Sequence, residues 1–170
     1  MKGHTKKLII SALFAALGFV STYFFAFPLL TGYANLGDCF AFLAGFCLGG
    51  PWGCAAAGLG IALADLLGGY GVYAPATFII KAFIALCGAM AAKFASAGKI
   101  RLVIITALSI LSEAMMVLGS FFFESVFLGV GEAAIASVAG NLMQAAVGVV
   151  TSVLLAAVFA KNKRLRELIK

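Results

Sequence analysis

Asp38, Asp65, Lys81 and Glu113 are ionisable side chains set in otherwise apolar runs, and Asn141 and Gln144 add two carboxamides three residues apart. A charge in hydrocarbon costs about 2.5–3.5 kcal/mol on insertion scales, so each intramembrane ionisable group is a functional candidate by default. Three carboxylates facing one ammonium, with amides that donate and accept, suit recognition of a neutral or weakly basic ring bearing hydroxyl or amino groups. They do not suit catalysis. No HExxH and no nucleophile–base pair occurs, and the single histidine, His4, stands among N-terminal lysines where it cannot build a metal site. Plainer readings stand beside this one. Lys81 can snorkel to an interface, Asp38 and Asp65 can cap helix ends or face water, Asn141 and Gln144 can join helices, and Glu113 can pair with Lys81. Tyr33, Tyr70 and Tyr73 either anchor the chain at the membrane interface or cover a flat ligand.

The elements that must position these residues follow from composition. The 170 residues are 64% hydrophobic and 11% charged, against about 45–50% and 25% in a soluble domain. So little charge cannot cover a water-facing surface; the solvent must be lipid. One integral-membrane domain over 1–170 is expected. At about 20 residues per span, the apolar runs divide into six, at 8–27, 35–49, 51–68, 75–96, 101–123 and 133–160. Spans two and three are short and are joined by "LGGPWG", where Gly49 and Gly50 end one helix and Pro51 suits the first turn of the next.

The net charge of +6 is topological information rather than a nucleic-acid patch. Lys2, Lys6 and Lys7, then Lys93, Lys99 and Arg101, then Lys161, Lys163, Arg164, Arg166 and Lys170 all fall inside if the N-terminus is cytoplasmic. The outer loops, 28–34, 69–74 and 124–132, carry no Lys or Arg. This is the positive-inside pattern. The expected fold is therefore an all-α membrane protein, a six-transmembrane-helix bundle with N- and C-termini cytoplasmic. At about 1.5 Å per residue, all six polar residues fall in the outer half of the membrane, on five different spans, which predicts one cavity open to the outside. Aromatic and Met side chains would supply its flat apolar contacts. Cys39, Cys47, Cys54 and Cys87 form no CxxC pair and read as small buried hydrophobes.

Small residues that let helices approach closely recur at Gly45, Gly49, Gly53, Ala57 and Gly60. In span one, Ala12 and Ala16 share a face near the cytoplasmic end, as do Ser11 and Ala15; such a strip suits internal packing or a partner subunit.

The stretch "YANLGDCFAFLAGFCLGGPWGCAAAGLGIALADLLGGYGVYAPATFIIKAF" resembles the signature region of substrate-binding (S) components of energy-coupling factor (ECF) vitamin transporters, in the riboflavin-type branch with its hydroxymethylpyrimidine and pyridoxine binders. The likeness is close over 33–83 and extends to length and helix layout beyond. It implies a protein of the bacterial plasma membrane that captures a vitamin from outside and docks onto a transmembrane coupling (T) subunit carrying two cytoplasmic ATPases. The docking alanines of the family match Ala12 and Ala16, and the segment from Phe27 to Ala34 matches the position of its gate. No Walker motif is present, so no enzymatic activity and no cofactor are expected of this chain, with ATP hydrolysis left to partners. Candidate substrate-binding residues are Asn35, Asp38, Asp65, Tyr70, Tyr73, Lys81, Glu113, Asn141 and Gln144. A pyridoxine- or hydroxymethylpyrimidine-like ligand fits their chemistry, with riboflavin the alternative. A self-contained channel or transporter would want polar residues along the whole path and an internal repeat, and an intramembrane enzyme would want a catalytic constellation; neither is visible.

Overall fold

The computed structural model describes residues 3–25, 27–28, 33–94 and 99–162. Six α-helices occur among them: α1 (Gly3–Tyr23), α2 (Gly37–Leu48), α3 (Gly50–Leu67), α4 (Ala74–Phe94), α5 (Lys99–Phe122) and α6 (Glu132–Lys161). Two short strands, β1 (Phe27–Pro28) and β2 (Tyr33–Ala34), pair antiparallel between α1 and α2. The chain is thus a helical bundle, and five of its helices are long and apolar enough to cross a membrane.

The sixth is not. At 12 residues, α2 extends about 18 Å, well short of the roughly 30 Å hydrocarbon core. The reason lies in its surroundings. It packs against α1, α3, α4 and α6, and nine of its twelve residues are buried. A helix enclosed by others need not match the bilayer. Phe42 and Leu43 of α2, Ile61 of α3, Ile84 of α4 and Ile105 of α5 are among the most deeply buried apolar side chains.

Two boundaries differ from the sequence expectation. The first span was expected to reach residue 27, but α1 stops at Tyr23 and the chain turns into the β1–β2 pair. At the other end of the chain, α5 does not break at 123. It continues as a π-helical turn, Phe123–Phe127, so Glu124, expected in an exposed outer loop, stays buried and accepts a hydrogen bond from the Ser137 hydroxyl of α6.

Close backbone approach sets the helix order. Gly49 joins α2 to α3 with a φ of +83°, a conformation that costs glycine little, and Pro51 sits in the first turn of α3. Gly45 faces the Ala85 carbonyl and Gly88 the Phe42 carbonyl, so near that a β-carbon at either would collide with backbone. With Asp38 against Lys81 at one end, these pairs make α2 and α4 parallel neighbours. Gly60 meets the backbone of Ala15, and the rings of His4 and Trp52 lie 6.3 Å apart, so α1 and α3 also run in parallel.

Between α5 and α6 the register is antiparallel and constant. Arg101 Nη1 donates to the Ala160 carbonyl, the Glu113 carboxyl lies against Gly148, and Glu124 meets Ser137. The same register puts Ser109 opposite Ser152, both fully buried. The bundle therefore has two distinct ends. His4, Lys6, Lys7, Lys93, Arg101 and Lys161 belong to one end by this topology, and Lys81 with its polar partners lies toward the other. All four cysteines are free thiols.

Candidate functional site

A cavity of about 250 Å³ opens at the end of the bundle remote from the basic residues. It lies just beyond the N-terminus of α2. Asn35 starts this helix by accepting the Gly37 N–H on its Oδ1 at 2.8 Å, an Asx-type turn. The same oxygen meets the Thr22 hydroxyl of α1 at 3.5 Å. Thr22 and Asn35 then form one side of the cavity.

Opposite them, α3 and α4 supply Asp65, Thr77 and Lys81. Thr77 and Lys81 are one turn apart on α4, and the Thr77 hydroxyl donates to Asp65 Oδ2. Lys81 Nζ pairs with Asp38 Oδ1 of α2. Helix α6 completes the polar wall with Asn141 and Gln144, whose spacing of three places them on one face. Gln144 Nε2 donates to the other oxygen of Asp38 at 2.6 Å. Asn141 Nδ2 is buried without a hydrogen-bond partner among the described residues. Ile61 and Met116 provide apolar surface.

Tyr70 and Tyr73 stand in the α3–α4 turn on the cavity rim. The turn is fixed by the Tyr70 N–H bonded to the Asp65 carbonyl at 2.8 Å. The Tyr73 ring lies 5.9 Å from Phe123 of the π-helical turn, which stacks on Phe127. Burial, with smaller contributions from Glu124 and Tyr70, pushes the Tyr73 phenol above its usual value.

Of the nine sequence candidates, the structure brings Asn35, Asp65, Tyr70, Tyr73, Lys81, Asn141 and Gln144 to the cavity wall. Asp38 and Glu113 are not on it. Asp38 is wholly enclosed behind Lys81 and Gln144, and Glu113 is 1% exposed in the seam between α5 and α6. Both Glu113 oxygens and the hydroxyls of Ser109 and Ser152 lack hydrogen-bond partners among the described residues. The alternative of a Glu113–Lys81 pair gives way to Asp38–Lys81. Thr22, Thr77 and Ser120 were missed. Thr77 was findable at one turn from Lys81, and Ser120 at two turns from Glu113 along the face that includes Met116. Ala12 and Ala16 are exposed on α1, whereas Ser11 is buried and Ala15 half-buried toward α3. The side chain of Tyr33 and residues 29–32 of the expected gate lie outside the described residues.

Membrane-length helices around a cavity that is polar on several walls and apolar at Ile61 and Met116 define an integral membrane protein built to bind a small molecule. The family described as ECF-type riboflavin transporter, S component, matches residues 2–161, and the chain belongs to it. It is thus an S component of an ECF transporter, in a family of transport subunits rather than enzymes. No curated protein and no solved structure matches the chain.

Proposed function

We propose that the chain is a single-domain vitamin-capturing subunit whose ligand is a small hydroxylated or aminated ring, of pyridoxine or hydroxymethylpyrimidine type. The observation that carries this reading is the wall of the cavity. One ammonium, Lys81, is paired with Asp38, and Asp65 accepts from Thr77, leaving amides, hydroxyls and two tyrosines to meet a ligand with little net charge. A volume of about 250 Å³ lies just under the usual range of roughly 300–1,000 Å³ for ligand pockets, which favours one ring over three. A specific observation favours riboflavin as the second reading: the family description names it, and Tyr70, Tyr73 and Phe123 at the rim offer stacking surface for a ligand that protrudes.

In this reading the basic end faces the cytoplasm, both termini with it, and the cavity faces outside. The six helices all count as passes, α2 completing its crossing within the protein. Ala12 and Ala16, exposed on α1 near the cytoplasmic end, dock on a T subunit, and two ATPases bound to that subunit supply the energy. The chain needs no cofactor of its own.

The test is purification in detergent, mass spectrometry of co-purifying small molecules, and calorimetric titration with pyridoxine, hydroxymethylpyrimidine and riboflavin. One compound is expected to bind at one per chain. Riboflavin alone would replace the first reading by the second, and no binding across a full vitamin panel would overturn both.

A further inference from the structure

Asp38 does not line the cavity, yet both of its oxygens are committed to residues that do. Oδ1 accepts from Lys81 Nζ and Oδ2 from Gln144 Nε2, and the residue itself is fully buried. An ionised carboxylate can only accept. The Gln144 amide therefore has one allowed orientation: its NH₂ group turns inward to Asp38 and its carbonyl Oε1 turns away. Among the described residues no hydrogen bond engages Oε1, and Gln144 lies on the cavity wall. The Lys81 ammonium, anchored by one contact to Asp38, keeps further N–H groups for the same cavity.

We propose that Asp38 is a positioning residue that sets ligand specificity from behind the wall. By accepting from both neighbours it fixes a hydrogen-bond acceptor, Gln144 Oε1, beside a cationic donor, Lys81 Nζ. The complementary ligand is a ring carrying an N–H or O–H donor next to an acceptor such as a ring nitrogen or carbonyl. This rests on the reading of the cavity as the vitamin site and narrows it to an edge chemistry. Specificity of this kind is strong because a mismatched ligand leaves buried polar groups unpaired.

Asp38→Asn tests it. The new amide must give its carbonyl to Lys81, so its NH₂ faces Gln144 and forces that amide to flip, putting a donor where the acceptor stood. Each panel compound is titrated beside its analogue methylated at the ring-borne N–H or O–H. Wild type is expected to prefer the unmethylated compound by on the order of 30-fold, and Asp38→Asn to lose that preference. Asp38→Asn with Gln144→Glu restores an outward acceptor at the same total charge, and is expected to recover it. An unchanged preference in folded Asp38→Asn, or none regained in the double variant, overturns the proposal.

A second readout does not depend on knowing the vitamin. Gln144 is the single glutamine in the sequence, so selective ¹⁵N-glutamine labelling reports one side-chain NH₂. Its hydrogens are expected to exchange slowly in wild type and quickly in Asp38→Asn. Rapid exchange in wild type overturns the inference even if Asp38→Asn fails to fold. Absence of binding by every panel compound, with slow exchange intact, sinks the vitamin reading alone.

Discussion

The carboxyl of Glu113 on α5 occupies the space that a side chain at position 148 of α6 would need: a β-carbon there would lie 2.5 Å from Glu113 Oε1 and 2.7 Å from its Cδ. Glycine at 148 and glutamate at 113 are therefore one packing solution rather than two independent choices.

Gly148→Ala is expected to destabilise the bundle by about 1–3 kcal/mol, the usual cost of overpacking. The same change in a Glu113→Ala background should cost much less, because the competing carboxyl is gone. Thermal unfolding of the four proteins in detergent gives the coupling; additive shifts would show that the two residues do not share this space.

Lys81 and Asp38 form a buried pair, and removing one member strands the other. Lys81→Met is expected to cost about 3–5 kcal/mol, whereas joint replacement with Asp38→Leu should recover most of the loss. Denaturant titration in mixed micelles measures both. Ligand binding is expected to fall in each variant, since Lys81 lies on the cavity wall. A single substitution as well tolerated as the double would mean that solvent already compensates the charge.

Ala12→Trp or Ala16→Trp is expected to leave ligand affinity and thermal stability unchanged, because both positions are exposed on α1. Cellular uptake in the presence of the T subunit and the ATPases should nevertheless fall to background. Retained uptake, or a parallel loss of binding, would remove these alanines from the docking role.

Much of this arrangement was legible in the sequence because lipid makes polar residues conspicuous. Thr77 escaped notice where Lys81 did not, since a hydroxyl is cheap to bury once it finds an acceptor. What could not be read was helix rotation. Segments that are apolar on all sides have no polar stripe to say which face turns inward, so Asp38 and Glu113 were assigned to the cavity by depth alone. The structure keeps their depth and turns them behind the wall. The shortness of α2 was legible, since its apolar run is bounded by Asn35 on one side and by Gly49 and Gly50 on the other, but its enclosure by four neighbours was not. Glu124 looked like a loop residue until the π-helical turn carried it inward to Ser137. That contact joins segments thirteen residues apart across a bend, and no local pattern encodes it.

The brevity of α2 has one more consequence. Its neighbours rise past the point where it stops, so the hollow exists in the column that a full-length central helix would have filled with backbone. Asn35, just ahead of the first turn of α2, lines that hollow, and its depth is measured in omitted residues. Lengthening this helix by a turn ahead of Gly37 would plug the well while leaving every lipid-facing surface as it was.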